Sequence, residues 1–221
     1  MAKIKNKQRL LSTTMKTKFK GNYRYFTPSS YELTVVVDCS DISLFVERAL
    51  RSCLAQTFPG YTIKIFLCSS KPKSKFRNIL KNYFGQIDFL QITGPISFFK
   101  KLTFILNHVR SQNFLWLDAN DFISDFMLLT QTIFLSDNPE NQGVTVDFWS
   151  IKPFSDKKTS RMTNCNPSRF SGIMWKKEAL FLYLDKFQQK IVQNEKLFFS
   201  NAKKELKLGH IPIAFLRKTD K

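Results

Sequence analysis

The residue types best suited to chemistry in this chain are Asp118 and Asp121, with Asn120 between them, at the end of the apolar run Phe114-Leu115-Trp116-Leu117. Oxygen donors spaced this closely suit a hard divalent cation, and a cation there can neutralise a diphosphate as it becomes a leaving group. The same residues also make good turns and helix caps, and Asp121 precedes an apolar stretch from Phe122 to Leu135 that reads as a helix. Spacing alone leaves both uses open.

An element must hold these side chains in place. An uninterrupted apolar run such as Phe114 to Leu117 reads as a strand buried on both faces, and its carboxyl end is where open α/β sheets bind their ligands. The preceding chain supplies the rest of such a sheet. Leu33 to Val37 is a β-branched first strand, and Asp38-Cys39-Ser40-Asp41 turns the chain, with Asp41 suited to capping the helix that Pro59-Gly60 ends. Ile63 to Cys68 reads as a second strand, followed by Ser69, Ser70 and a basic helix through Tyr83. Ile87 to Ile92 is a third strand and Phe98 to Val109 a third helix, on which His108 reads as a packed residue. This alternation predicts an α/β fold: a mostly parallel, Rossmann-like central sheet flanked by helices.

The second half is less regular. Val144 to Ile151 and Phe170 to Trp175 read as strands, with a polar loop from Lys152 to Pro167 between them of the kind that covers a site. Helices are expected from Lys177 to Gln188 and from Asn194 to Leu208, then a closing strand from His210 to Leu216.

Composition sets limits. With 221 residues, 43% of them hydrophobic, the chain can bury a full core, and residues 31–221 read as one domain. Only 7 glycines are present and no Gly-rich phosphate loop occurs, which excludes P-loop and dinucleotide-fingerprint chemistry. The four cysteines show no metal-ligand spacing. Lys and Arg number 35 against 17 acidic residues, a net charge of +18 that favours nucleic acid, anionic lipid or phosphorylated small molecules as partners. Of these, nucleic acid is the least favoured. Residues 1–30 are rich in Lys and Arg, have no acidic residue, and read as a flexible basic arm suited to an anionic membrane surface. Neither a membrane-length apolar segment nor the apolar core of a signal peptide is present, which predicts a cytoplasmic protein, with peripheral contact at the inner membrane face through that arm.

The run Thr34-Val-Val-Val, followed by Leu44-Phe-Val-Glu-Arg-Ala-Leu-Arg-Ser-Cys-Leu-Ala-Gln-Thr-Phe-Pro59, resembles the first strand and helix of family 2 glycosyltransferases with the GT-A fold. Phe114 to Asp121 is similar to that family's metal motif, Ser171-Gly172 to Leu180 to its acceptor-side strand and helix, and Glu195 to Gly209 to its closing segment. The resemblance, from about Leu33 to Arg217, implies a nucleotide-sugar donor, Mg2+ or Mn2+ held by Asp118, Asn120 and Asp121, and Glu195 as the catalytic base. It implies donor contacts from Asp38, Cys39, Asp41, Ser69 and Lys101, and a glycan or lipid-linked acceptor that attacks with inversion. The chain departs from the pattern at Leu67-Cys68, where the family has paired aspartates, at Asn120, which takes an acidic place, and at Lys196, which replaces an Asp. A domain that keeps the fold and binds a partner without turnover is therefore a second reading.

Overall fold

The computed structural model describes residues 33–40, 45–67, 74–92, 94, 96–152, 158–164, 167–191, 194–202 and 205–219; the expected basic arm, Asp41 and Ser69 lie outside the described residues. Strand β1 (Leu33–Asp38) shows why an apolar run becomes a central strand. Leu33, Val35 and Val37 point into one hydrophobic cluster and Val36 into another, so every position from Leu33 to Val37 is buried. Strand β4 (Asn113–Asp118) repeats the pattern, with Leu115 and Leu117 on the first side and Phe114 and Trp116 on the second.

Helices cover both faces. α1 (Val46–Leu54), α2 (Ser74–Lys81) and α4 (Met127–Asp137) supply Leu50, Phe76 and Leu128 to the first cluster. α3 (Phe98–His108), α5 (Lys177–Ile191) and α6 (Glu195–Ala202) supply Leu106, Leu180 and Phe198 to the second. The second cluster contains an aromatic hub around Phe170, whose ring centroid lies 4.8 Å from Phe198, 5.2 Å from Trp175 and 5.3 Å from both Trp116 and Phe98. Edge and tilted contacts of this kind add to the area they bury.

Among the described residues the sheet has nine strands. β2 (Tyr61–Leu67) and β3 (Asp88–Gln91) extend from β1 on one side and β4 from the other, all parallel. The expected α/β sheet is present, and beyond β4 it takes in antiparallel pairs, so that it is mixed rather than purely parallel. β8 (Ile173–Lys176) runs antiparallel to β4 and to β6 (Gly143–Ile151), while β9 (Leu208–Thr219) is parallel to β6 and antiparallel to β5 (Phe122–Ile123).

Several expected boundaries move for identifiable reasons. The stretch Phe122 to Leu135 is not one helix: Phe122 and Ile123 pair with β9, the Ser124 amide donates to the Phe215 carbonyl, and helix begins only at Met127. The expected loop from Lys152 to Pro167 contains β7 (Lys158–Met162), an antiparallel partner of β6 anchored by Arg161 on Asp147 at 2.9 Å. His108 is exposed at the last turn of α3, its Nδ1 2.7 Å from the Phe104 carbonyl, rather than packed inside. The last expected helix stops at Ala202 and strand resumes at Leu208.

Gly172 makes the turn from the hub into β8. Its φ is +85°, its amide donates to the Trp116 carbonyl at 2.8 Å, and a Cβ would collide with the buried Leu216 side chain. Gly172→Ala is expected to lower unfolding free energy by about 1–3 kcal/mol in urea denaturation, and an unchanged midpoint would contradict this account of the turn.

Candidate functional site

The parallel register of β1 and β4 sets Asp38 opposite Asp118, and the Ala119 amide donates to the Asp38 carbonyl at 3.0 Å. The carboxyl ends of the two strands therefore open on the same hollow. It is a cleft of about 770 Å3 walled by Asp38, Lys101, Asp118, Asn120, Arg169 and Glu195, among others. Asp118 and Glu195, about 80 residues apart in sequence, thus share one cavity.

Each wall has a local cause. Ser97 caps α3 by accepting the Lys100 amide at 3.3 Å, which starts the helix where Lys101 reaches back over the sheet. The Lys101 ammonium donates to Asp38 Oδ2 at 2.9 Å, and the Ser40 amide and hydroxyl occupy Oδ1 at 2.9 and 2.6 Å. Asn194 Oδ1 accepts the Leu197 amide at 2.9 Å and so caps α6, leaving Glu195 in its first turn. The hub behind Phe198 seats that helix, and the Phe170 amide makes a long 3.5 Å contact to Glu195 Oε1.

Asp118 and Asp121 are treated very differently. Asp121 is 5% exposed; its Oδ2 accepts the Ser171 hydroxyl at 2.6 Å and its Oδ1 the Thr219 amide at 3.1 Å. Burial raises its pKa, opposed by those bonds and by Lys218 and Arg169. The Asp118 carboxylate accepts no hydrogen bond among the described residues. Burial, then the charges of Asp121, Glu195 and Asp38, push its pKa up to about 7 against the pull of Arg169. Glu195 is also raised, by burial first and by Asp38, with the Phe170 amide, Lys101 and Arg169 opposing.

Of the residues expected at the site, Asp38, Lys101, Asp118, Asn120 and Glu195 meet at the cleft. Asp121 does not, because both of its oxygens are turned inward to Ser171 and Thr219. Cys39, expected at the donor, is 1% exposed in the core; its amide donates to the Phe66 carbonyl, and burial lifts its thiol well above the ordinary value. His210 is held by Asp147, with Nε2 2.8 Å from Oδ1.

Two basic residues were missed. Arg169 walls the cleft and acts on Asp118, Asp121 and Glu195, yet it lies in an irregular segment with no pattern to mark it. Lys218, whose pKa is lowered by burial although Asp121 and Asp118 oppose this, lies beyond the expected end of the closing strand. Strand alternation carried past Leu216 would have found it, since it sends Arg217 and Lys218 to opposite faces.

No group of three His, Cys, Asp or Glu side chains forms a ready-made metal cage among the described residues. The donor set nonetheless fits a Mg2+- or Mn2+-type ion that takes one or two carboxylates and completes its shell with substrate phosphates and water. Asp118, a carboxylate facing the cleft with no hydrogen bond among the described residues, would suit such a role, with Asn120 beside it.

No protein-family model and no curated protein matches the sequence. Solved structures do match in fold. S. aureus TarS (residues 1–349) in complex with UDP-GlcNAc is 14% identical with a TM-score of 0.61, over 86% of this chain and 59% of that one. The mannosyltransferase PcManGT from Pyrobaculum calidifontis, in complex with GDP-Man and Mn2+, is 12% identical with a TM-score of 0.60, over 86% of this chain and 57% of that one. The 4-diphosphocytidyl-2C-methyl-D-erythritol synthase from Anaerococcus prevotii is 14% identical with a TM-score of 0.55, over 81% of this chain and 86% of that one. The fold is thus the GT-A-like α/β arrangement, and the chain spans less than two thirds of the two transferase chains.

The raised Asp118 pKa has a thermodynamic sign. The folded state binds this proton more tightly than the unfolded chain, so stability falls as pH rises from about 4 to about 7 and is flat above. Asp118→Asn is expected to raise metal-free stability at pH 8 by about 1–3 kcal/mol and to leave it unchanged at pH 4. Melting curves of both proteins at the two pH values check this, and a loss of stability at pH 8 would contradict it.

Proposed function

We propose that this domain transfers a glycosyl group from a nucleotide-sugar donor to a hydroxyl of a glycan or lipid-linked acceptor, as a divergent relative of the family 2 glycosyltransferases. The observation that carries the reading is the shared cleft of Asp118 and Glu195 at the carboxyl ends of β1 and β4. The neighbouring folds that hold UDP-GlcNAc, or GDP-Man with Mn2+, support the donor class.

In this reading Glu195 takes the acceptor hydroxyl proton while that oxygen attacks the anomeric carbon from the face opposite the leaving nucleoside diphosphate, which inverts the centre. The partly buried setting of Glu195 raises its pKa and so improves it as a base, while the Phe170 amide, Lys101 and Arg169 keep it from rising further. Asp118, with Asn120, would hold the divalent cation, which supplies Lewis-acid stabilisation of the departing diphosphate. Lys101 and Arg169 put further positive charge on the wall that the diphosphate would face.

A second reading, a domain that binds its partner without turnover, is favoured by one feature. Asp38 is already filled by Lys101 and Ser40, so it offers a nucleotide little. Release of nucleoside diphosphate from UDP-, GDP- and dTDP-sugars in the presence of Mn2+ separates the two. Glu195→Gln is expected to lower kcat by about 10²–10⁴-fold with donor KM nearly unchanged. The wild-type rate should rise with pH as Glu195 ionises. Turnover that survives Glu195→Gln contradicts the catalytic assignment, and absence of release from every donor favours the binding domain.

A further inference from the structure

A second hollow, of about 520 Å3, lies where α1 meets β5 and the end of β9. Its wall includes Arg48, Arg51, Phe122, Ser124, Phe126 and Arg217, and its one acidic residue among those described is Asp125. Positions 48 and 51 are one helical turn apart and so share a face of α1, while strand alternation turns Arg217 toward the same space and Lys218 away from it.

The guanidinium groups are held in place. The Arg48 Cζ lies 4.3 Å from the Phe122 ring centroid and 4.9 Å from that of Phe45, and Arg217 Cζ lies 5.4 Å from the Phe122 centroid. Arg217 Nη1 donates to Ser124 Oγ at 2.7 Å, and Arg48 Nη2 donates to Thr219 Oγ1 at 2.8 Å and to the Asn120 carbonyl at 3.3 Å. Arg51 pairs with Glu47 at 2.7 Å and also hydrogen-bonds Tyr83, but the Arg51 and Glu47 side chains are 73% and 38% exposed, so the ion pair is weak and can be exchanged for a better acceptor. Phe126, 56% exposed, provides an apolar ledge beside the arginines.

From this geometry we infer a second ligand site, separate from the cleft, that takes the phosphate oxyanion of a phosphorylated ligand. Arg48, Arg51 and Arg217 wall one hollow with a single carboxylate among the described residues, and a multiply charged oxyanion there would match their forked donors. The remainder of the ligand lies against Phe122 and Phe126. Phosphate of this kind comes from a soluble phosphorylated molecule or from a phospholipid headgroup, and the two sources are separable.

The test uses the full chain in EDTA, so that no divalent ion assists binding at the cleft. Inorganic pyrophosphate is titrated calorimetrically into wild type, Arg51→Gln, Arg217→Gln and, as a cleft control, Arg169→Gln alone and combined with each. Loss of a charge-assisted bond is expected to weaken binding about tenfold in Arg51→Gln and in Arg217→Gln, and by the same factor when either is combined with Arg169→Gln, which removes the cleft arginine's share of any binding. Arg51 is solvent-exposed, so Arg51→Gln still decides the matter should Arg217→Gln fold poorly. In parallel, co-sedimentation with phosphatidylcholine vesicles with and without phosphatidylglycerol tests the headgroup. Dependence of that binding on Arg51 and Arg217, with no pyrophosphate heat, assigns the site to a lipid. Pyrophosphate binding that follows Arg169 alone, or binding to neither probe that depends on Arg51 or Arg217, overturns the inference.

Discussion

The buried carboxylate of Asp121 is the contact on which the geometry of the cleft depends. It accepts the Ser171 hydroxyl, and Ser171 Oγ in turn accepts the Asp118 amide at 3.1 Å; its other oxygen takes the amide of Thr219. One side chain thus ties the end of β4 to the turn before β8 and to the last residues of β9. A buried carboxylate without these partners is costly, so the three segments are fixed relative to one another by the need to satisfy it. The turn that presents Asp118 to the cleft is held from behind in this way.

Asp118 and Asp121 therefore divide the labour of one acidic cluster. The inner residue is spent on structure, and the outer one is left at the cleft with no hydrogen-bond donor among the described residues and with like charges around it. Asp38, Asp118, Asp121 and Glu195 are set against Lys101, Arg169 and Lys218, and burial first, then the neighbouring carboxylates, lift the Asp118 pKa to about 7. A cation placed there would offset the neighbouring negative charge. Glu195 depends on a different part of the fold, since the aromatic packing of Phe170, Trp175 and Phe198 seats α6 over the cleft. That packing gives a physical use to several of the many phenylalanines in this chain.

Much of this was legible in the sequence, and the limits have physical causes. β1 and β4 are readable because both faces of each are buried, which leaves a continuous apolar run. β5 and β7 are not, because a short edge segment becomes a strand through its partner: Phe122 and Ile123 are extended only because β9 lies beside them. Asp118 and Asp121 look alike in sequence. What distinguishes them is Ser171 and Thr219, 50 and 98 residues further along from Asp121, which no local pattern exposes. Cys39 is similarly ambiguous, because a residue just past the end of a strand can face a ligand or the core, and here it packs with Val37 and Leu117 in the core cluster.

The central claim is that the cleft binds an activated sugar through a cation on Asp118. Calorimetric titration of nucleotide-sugars into wild type and Asp118→Asn, with and without Mn2+, tests it most directly. The account predicts heat for at least one donor that requires Mn2+ and is lost in Asp118→Asn. Donor binding that is indifferent to both the ion and the substitution, or no binding of any donor by a folded wild-type protein, would contradict it.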